Sequence, residues 1–289
     1  MILNEALRST TQSLVAARIE FPFIEAELLL GHILGMSKTQ LHTEPERALT
    51  PTETECLCHL VQQRLHHEPA AYILRRCEFY GTAFYTDYRT LIPRPETELL
   101  VEKAIESAHC LSYPEKQITI ADIGTGCGAM AISLALALPK VKIYAVDISA
   151  SALQVAEINC QHHRVDNQVE LLQGHLLEPL SHSVDMIVAN LPYIKNCEFK
   201  DLSPEISHFE PTIALAGGQD GLDVIRQMLE QIPGKLSRGA CLLLEIGQGQ
   251  SEAVTSLINN CFSQLAIELF PDLGGIDRVL RVKNWKGVL

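Results

Sequence analysis

The feature that most constrains this chain is a regular alternation of short apolar stretches and helical stretches after residue 93. The apolar stretches are "ITIADIG", "KIYAVDI", "VELLQG", "VDMIVAN" and "ACLLLEIG", followed by a final pair near 265–270 and 278–282. Helical stretches such as "AMAISLALAL" and "GLDVIRQMLEQI" separate them. This alternation predicts a seven-stranded, mostly parallel sheet with helices on both faces, which is the Rossmann-like α/β class.

The ends of the predicted strands carry the candidate functional residues. Ligands of such sheets bind outside the carboxyl ends of the strands, near the point where the strand order reverses. In this chain, four strand ends carry polar or glycine-rich segments, at 122–128, 147, 174–175 and 190–193. We therefore expect the functional site to form from these four segments.

The residues before the α/β pattern predict a separate helical domain. Residues 1–74 show helical periodicity throughout, and Thr50, Pro51 and Glu53 form a capping box with a proline at the first helical position. Residues 75–92 are aromatic and β-branched around Gly81, which predicts a β-hairpin linker. The α/β domain then occupies 93–289.

Charge and composition narrow the classes of partner. The formal net charge of −12 offers no large basic surface, so direct binding of nucleic acid is not expected. No apolar run approaches the roughly 20 residues that span a bilayer, and the first residues lack the blocks of a secretion signal. The nine scattered cysteines and eleven histidines show no ligand spacing. We expect a cytoplasmic protein with free thiols, no metal site and no membrane association.

The first strand end resembles a loop that holds a nucleotide-like cofactor. Asp122 precedes Gly124, Gly126 and Gly128, and a helix follows. Glycines let a ligand approach the backbone, and the helix start offers free N–H groups. A carboxylate at 122 attracts the ammonium of S-adenosylmethionine and repels a pyrophosphate, which favours this cofactor over NAD. Asp147 ends the second strand, where it is placed to accept bonds from both ribose hydroxyls.

His175 follows the third strand, where an Asp would accept a bond from the adenine amino group. A histidine accepts such a bond only through an unprotonated ring nitrogen. A histidine on the loop surface is the alternative interpretation.

The stretch "NLPY" at the end of the fourth strand predicts a clamp for a planar –NH₂ group. The side-chain oxygen of Asn190 can accept one hydrogen, and the carbonyl of Leu191 the other. Pro192 favours extended backbone at Leu191, and Tyr193 can lie against the flat face of the substrate. An ordinary turn is the alternative interpretation of this short motif.

The two motifs together resemble a known family. "D-x-G-T-G-x-G" followed by "NLPY" is similar to class I methyltransferases that act on planar nitrogens, whose clamp is written [DNS]-PP-[YFW]. Further stretches resemble the HemK/PrmC-type protein-(glutamine-N5) methyltransferases of peptide chain release factors. These are "EPAAYIL", "LIPRPETELLVE", "FEPTIALAGGQDGLD", "LLLEIGQGQ" and "DLGGIDRVL", and they extend from about residue 64 to residue 281.

The resemblance implies methyl transfer from S-adenosylmethionine to the glutamine of the Gly-Gly-Gln loop of a release factor. It implies a substrate pocket lined by the "PRPET" and "EP" segments. We further expect that residues 1–74 bind the release factor and that the protein is a monomer. The predicted catalytic set is Asn190, Leu191, Pro192 and Tyr193. The predicted cofactor set is Asp122, Gly124, Thr125, Gly126, Gly128, Asp147, Ile148, His175, Leu176 and Asn190. The predicted substrate set adds Pro93, Arg94, Pro95, Glu96, Thr97, Glu210 and Pro211 to the clamp.

Two residues depart from the family pattern, and other functions stay open at this point. Leu191 replaces the first proline of the clamp, and His175 stands where an Asp is common. An adenine-N6 methyltransferase would use the same clamp, although the acidic charge opposes it. A non-catalytic S-adenosylmethionine-binding protein and an NAD oxidoreductase are further alternatives. The "GGQ" at 217–219 is interpreted as chance or a turn, not as a substrate of the chain itself.

Overall fold

The chain divides into two compact units. The computed structural model describes residues 1–111, 117–262 and 265–283. The first unit consists of Met1–Arg76 and Ser203–Phe209, and the second of Cys77–Leu202 and Glu210–Leu289. The predicted domain boundaries at 74/75 and 92/93 stay a proposal. They differ from the boundaries of the two units in two respects. The hairpin belongs to the second unit, and segment 203–209 belongs to the first. Residues 112–116, 263–264 and 284–289 of the predicted third segment lie outside the described residues.

The helices and strands follow in chain order. The α-helices are α1 (Leu3–Ala16), α2 (Pro22–Leu34), α3 (Lys38–Thr43), α4 (Pro51–Leu65), α5 (Ala70–Ile73), α6 (Thr97–Leu111), α7 (Ala129–Ala137), α8 (Ala150–His163), α9 (Pro204–Phe209), α10 (Asp223–Gln231) and α11 (Ser251–Cys261). The strands are β1 (Cys77–Phe79), β2 (Thr82–Phe84), β3 (Ile118–Ile123), β4 (Val141–Asp147), β5 (Val169–Gln173), β6 (Val184–Ala189), β7 (Ile194–Lys195), β8 (Ala216–Gly218), β9 (Leu236–Glu245), β10 (Ala266–Pro271) and β11 (Asp277–Lys283). Two short 3-10 helices lie at Asn196–Asp201 and Thr212–Ala214. No described helix is both long and apolar enough to cross a bilayer.

The first unit is a bundle around a leucine-rich core. The core includes Leu14, Leu29 and Leu30, which have no exposed surface. The predicted start of α4 is confirmed: Glu53 N donates to Thr50 Oγ1 (3.2 Å), and Thr50 N donates to a Glu53 carboxylate oxygen (2.8 Å). This exchange satisfies two of the N–H groups that a helix start leaves free.

One buried arginine holds segment 203–209 in the first unit. Arg64 on α4 is 1% exposed, and its guanidinium pairs with Glu25 on α2 and Glu205 on α9. A guanidinium removed from water needs such partners, because an unpaired buried charge is costly.

The second unit contains the predicted sheet. Its seven strands lie in the order β10-β11-β9-β6-β3-β4-β5. The strands β9, β6, β3, β4 and β5 are parallel, while β11 runs antiparallel to both of its neighbours, β9 and β10. Two apolar clusters cover the two faces, and every residue of β6 is buried. Burial on both faces explains why the parallel strands appear in the sequence as continuous apolar runs.

The register of the sheet aligns four strand ends. Ile123 pairs with Val146 and with Ala189, and Ala189 pairs with Leu244. The residues that come next on these strands therefore form one row along the carboxyl edge: Gly124, Asp147, Asn190 and Glu245. The chain moves from β3 to β4 and β5 on one side, and returns to β6 on the other side of β3. The row thus lies at the point where the strand order reverses.

A two-stranded hairpin precedes this sheet. Strands β1 and β2 pair antiparallel, with Cys77 opposite Phe84. Tyr80 and Gly81 join them, both with positive φ (49° and 68°), as a tight two-residue hairpin turn requires. Phe79 and Phe84 are each 1% exposed and belong to the apolar cluster of the second unit.

Candidate active site

The loop between β3 and α7 is held against β4 by its backbone. The N–H groups of Gly124 and Thr125 both donate to the carbonyl of Val146 (2.9 and 3.0 Å). Gly124, Gly126 and Gly128 have positive φ (75°, 57° and 82°), which L-residues with a side chain seldom adopt. A Cβ added at Gly126 would meet no atom within 4 Å, so this glycine faces open space. The loop therefore presents bare backbone to a cavity.

Asp122 lies beneath that loop and is not part of the cavity wall. The carboxylate is completely buried, and its Oδ2 accepts bonds from Thr125 Oγ1 (2.7 Å) and Ala131 N (3.2 Å). Its Oδ1 is buried and has no hydrogen-bond partner among the described residues. Burial raises the pKa of Asp122 to about 7, a shift that the bonds from Thr125 and Ala131 oppose and the nearby charge of Asp147 reinforces.

Asp147 lines the cavity next to the loop. Its Oδ2 accepts a bond from Gly126 N and its Oδ1 one from Ser149 N, each at 2.9 Å. Burial raises its pKa, although these backbone bonds oppose the shift. Each carboxylate oxygen can accept a second bond, so Asp147 can hold the loop and still accept bonds from a ligand's hydroxyl groups.

A neighbouring glutamine determines which nitrogen of His175 carries the ring proton. Gln231 Oε1 accepts a bond from Leu177 N (2.8 Å), which leaves the Gln231 amino group to face His175 Nδ1 (3.3 Å). The Glu178 carboxylate is farther from Nδ1, at 3.7 Å. Because Nδ1 accepts, the neutral ring carries its proton on Nε2. This arrangement favours a donor role for His175 towards a ligand, and not the acceptor role that an Asp would have.

The clamp residue Asn190 is held from behind by the first residue of α6. Asn190 Nδ2 donates to Thr97 Oγ1 at 3.0 Å. In this arrangement the amide nitrogen faces Thr97, which leaves Oδ1 as the end for another partner. Asn190, Leu191 and Pro192 all line the cavity. Leu191 is 3% exposed, and its side chain packs over Gly124.

Tyr193 is held by contacts behind the clamp. Its hydroxyl donates to Glu245 Oε1 in a long hydrogen bond of 3.4 Å, and Gln250 Nε2 donates to its carbonyl (3.1 Å). Burial raises the pKa of Tyr193 to about 12, and the Glu245 carboxylate adds to the shift, so the phenol stays protonated. A Cβ at Gly217 would lie 2.7 Å from Tyr193 Cα, so a glycine is required at this position of "GGQ". Close packing against Tyr193 therefore explains the glycine at position 217.

The two predicted substrate segments meet in one ion pair. The Arg94 guanidinium donates to Glu210 Oε1, and the N–H of Ile92 donates to Glu210 Oε2 (3.4 Å). Glu210 is 5% exposed, whereas the Arg94 side chain is 30% exposed, so the carboxylate is the end of the pair that lies largely out of water. Charge-assisted bonds of this kind are strong, and the bond holds "PRP" against "EP".

The structure brings about half of the predicted site residues to one cavity. Those that line it are Gly124, Gly126, Asp147, Ile148, His175, Leu176, Asn190, Leu191, Pro192 and Pro211. Those that lie outside its lining are Asp122, Thr125, Gly128, Pro93, Arg94, Pro95, Glu96, Thr97, Tyr193 and Glu210.

The sequence did not lead us to predict several residues that line the cavity, or one residue behind the clamp. The missed lining includes Arg89, Thr90, Leu91 and Ile213. The residue behind the clamp is Glu245. The signal for Glu245 was present, because "ACLLLEIG" is an apolar strand that ends in a carboxylate and a glycine.

Comparisons with known proteins agree with this geometry. Two family models match the chain, the PrmC N-terminal domain over residues 5–74 and the Methyltransferase small domain over residues 97–206. A release factor glutamine methyltransferase of Koribacter versatilis is 38% identical over 282 residues, which cover 97% of this chain and 98% of that protein. The enzyme of the same name from Moorella thermoacetica is 38% identical over 280 residues, covering 96% and 97%.

Solved structures are similar in fold. The hMettl16 catalytic domain, crystallised in complex with MAT2A 3'UTR hairpin 6, has a TM-score of 0.55 at 12% identity, covering 83% of this chain and 84% of that chain. A methyltransferase from Pyrococcus furiosus has a TM-score of 0.50 at 18% identity, covering 73% and 91%. At such identities the likeness concerns the fold alone, and it agrees with the predicted methyltransferase sheet.

Proposed function

Because the chain belongs to the family of release factor glutamine methyltransferases, we propose that it methylates the side-chain nitrogen (N5) of the glutamine in the Gly-Gly-Gln motif of peptide chain release factors. The methyl donor in this proposal is S-adenosylmethionine. The observation that carries the proposal is the bond from Asn190 Nδ2 to Thr97 (3.0 Å), because it leaves an oxygen for an N–H donor. A primary amide is such a donor.

Three features of the cavity fit S-adenosylmethionine. Gly126 faces open space at a helix start, where a ligand can approach the backbone. Asp147 lines the cavity with accepting capacity left for ribose hydroxyls. The buried Oδ1 of Asp122 has no partner among the described residues, so a cation nearby would stabilise this carboxylate. We infer that Asp122 acts from beneath the loop and not as part of the cavity wall.

The clamp residues act on the glutamine amide. When bound, S-adenosylmethionine would supply an electrophilic methyl group: the S–CH₃ bond breaks, the sulfur leaves as a neutral thioether, and the methylated nitrogen releases one N–H proton to solvent. Asn190 Oδ1 and the carbonyl of Leu191 each accept one N–H of the amide, which orients its nitrogen and raises the electron density there. Positioning of this kind can contribute several kcal/mol (about 7–11 in ideal cases). As the nitrogen becomes positive, the same two acceptors bind it more strongly, so they stabilise the transition state more than the ground state.

The protein partner and location belong to the same proposal. We propose a cytoplasmic protein, because its proposed substrate is a release factor. We also propose that it works as a monomer. Residues 1–74, where the PrmC N-terminal domain matches, would bind the body of the release factor. Exposed apolar side chains on and before α2 offer contact area for it: Phe21, Ile24 and Leu28.

The decisive experiment uses labelled S-adenosylmethionine with three acceptors: an intact release factor, DNA and RNA. We expect label in the release factor alone, and none when its Gly-Gly-Gln glutamine is replaced by glutamate. Label in a nucleic acid would instead indicate an adenine methyltransferase. A short peptide with the same Gly-Gly-Gln loop tests the role of residues 1–74, because it should show a much higher KM than the intact factor. Equal KM values would contradict that role.

Asn190→Ala should nearly abolish transfer while S-adenosylmethionine affinity stays within about twofold, because the lost acceptor faces the glutamine. The measurement is single-turnover methylation of a release factor, with cofactor affinity from calorimetry. Leu191→Pro is the matched control, because it removes apolar packing but keeps the carbonyl, and it should retain most activity. Near-normal turnover in Asn190→Ala would show that the clamp is not the catalytic site.

A further inference from the structure

Glu245 is a buried acid at the clamp that the proposed chemistry does not use. It ends β9 and is 2% exposed. The sheet register places it beside Asn190 in the row of strand ends, because Leu244 pairs with Ala189. One carboxylate oxygen, Oε2, is buried without a hydrogen-bond partner among the described residues. Burying a carboxylate oxygen without a hydrogen-bond partner costs folding free energy. A buried acid of this kind is therefore a candidate for a functional role.

The contacts of Glu245 reach both side chains of the clamp. Its Oε1 accepts a hydrogen bond from the Tyr193 hydroxyl (3.4 Å). Thr97 is a second neighbour, and its hydroxyl interacts with the carboxylate and favours the ionised form. Thr97 in turn accepts the Asn190 Nδ2 bond (3.0 Å). A hydroxyl that accepts from Asn190 still has its own proton to donate, and the Glu245 carboxylate is an acceptor beside it.

We propose that Glu245 is a positioning residue that directs the hydrogen bonds of the clamp. By accepting from Thr97 and Tyr193, the ionised carboxylate keeps the Thr97 oxygen available to Asn190 Nδ2, and thereby keeps Asn190 Oδ1 towards the substrate amide. Glu245 touches no substrate atom itself. The inference rests on the proposed function, because it concerns how the same clamp is oriented.

The inference predicts a pH dependence. Burial raises the pKa of Glu245 to about 7, while Thr97 and Arg278 oppose the shift, Glu96 adds to it and the bond from Tyr193 opposes it. A protonated Glu245 would donate a bond and compete for the Thr97 or Tyr193 oxygen. The rate of transfer at saturating S-adenosylmethionine should therefore fall as the pH decreases through about 7.

The test is the pH profile of single-turnover methylation of an intact release factor. Glu245→Gln should lower the rate at pH 8.5 roughly tenfold or more, because one charged acceptor is lost, and it should remove the acidic limb. Its S-adenosylmethionine affinity should stay within about twofold. Asp122→Asn separates Glu245 from the other buried acid whose pKa is raised to about 7. Because Asp122 belongs to the predicted cofactor set, only the shape of its pH profile is compared, and not its rate. It should keep the acidic limb when the cofactor is saturating.

A second variant keeps the test informative if Glu245→Gln folds poorly. Thr97→Val keeps the shape and removes the hydroxyl, so it should reproduce the loss of rate. Combined with Glu245→Gln, it should lose no more than the worse single variant, because both break one chain of bonds. A Glu245→Gln enzyme with the wild-type rate and acidic limb, or losses that simply multiply, would overturn the inference alone. A wild-type enzyme that methylates no release factor would overturn the proposed function, and the inference with it.

Discussion

At the scale of single residues, Asp147 combines two tasks in one carboxylate. It accepts the N–H groups of Gly126 and Ser149, and it also lines the cavity. These bonds hold the glycine loop against the end of β4 before any ligand binds. An ionised carboxylate has about four accepting positions, so two remain for ribose hydroxyls. The same residue thus holds the loop in place and is positioned to accept hydrogen bonds from the hydroxyl groups of a ligand.

Asp147→Asn should weaken S-adenosylmethionine binding roughly tenfold or more. The amide keeps one accepting oxygen and replaces the other by a donor, so at least one charged bond, worth about 1.5–3 kcal/mol, is lost. Titration calorimetry measures the effect. Ser149→Ala is a useful comparison, because it leaves the carboxylate intact and should change affinity little. Unchanged affinity in Asp147→Asn would place the ribose elsewhere.

At the scale of elements, the loop between β3 and α7 shows why a glycine pattern suits a ligand site. Its conformation requires positive φ at three positions, and its N–H groups are tied to Val146 on the next strand. Only one of these glycines, Gly126, has open space where a side chain would start. At Gly128 a Cβ would instead lie 3.2 Å from Ala156, so that glycine allows α7 and α8 to pack closely.

Gly126→Ala should reduce S-adenosylmethionine affinity roughly tenfold or more while the protein still folds. A left-handed alanine costs about 1–2 kcal/mol, and the new methyl group enters the cavity. Gly81→Ala in the hairpin is the matched control, because its φ is 68°, a Cβ there would meet no atom within 4 Å, and Gly81 does not line the cavity. Both variants should lose similar stability in thermal unfolding, and only Gly126→Ala should lose affinity. Equal affinities would mean that the ligand does not approach this loop.

At the scale of the whole molecule, buried acids make the second unit sensitive to pH. Asp122 has its pKa raised from an ordinary 3.8 to about 7 by burial. The folded state therefore holds a proton that the unfolded chain has already released. Stability from this group is fully present below about pH 4 and is lost as the pH rises through about 7. A ligand cation near this carboxylate would restore part of the loss.

Asp122→Asn should remove this pH dependence in the ligand-free protein. Relative to the variant, the wild type should lose on the order of 3 kcal/mol of unfolding free energy between pH 5 and pH 8, since each pH unit contributes about 1.4 kcal/mol. Denaturant unfolding followed by circular dichroism at several pH values measures it. Parallel curves for the two proteins would show that Asp122 titrates normally when folded.

Local patterns in the sequence determined the fold and much of the site. The apolar runs and helical periods predicted the seven-stranded sheet, which the structure and the similar folds confirm. The capping box at Thr50 and the hairpin around Gly81 were also predictable, because caps and tight turns depend on neighbouring residues. Strand ends of a parallel sheet meet at one edge, so the glycine loop, Asp147 and Asn190 could be expected together. Their individual roles stay predictions.

Only the tertiary structure decided how distant side chains pair. Glu245 contacts Tyr193 because β9 lies beside β6, and the propensity and periodicity of the two strands do not specify that they become neighbours. Gln231 orients the proton of His175, although the two residues are 56 positions apart in the sequence. Arg64 pairs with Glu205, which is 141 positions away. Each pair forms only after the helices and strands have packed, because the charge and shape of a side chain do not specify which distant residue will lie next to it. The direction of the Asn190 amide is of this kind, and on it the proposed chemistry depends.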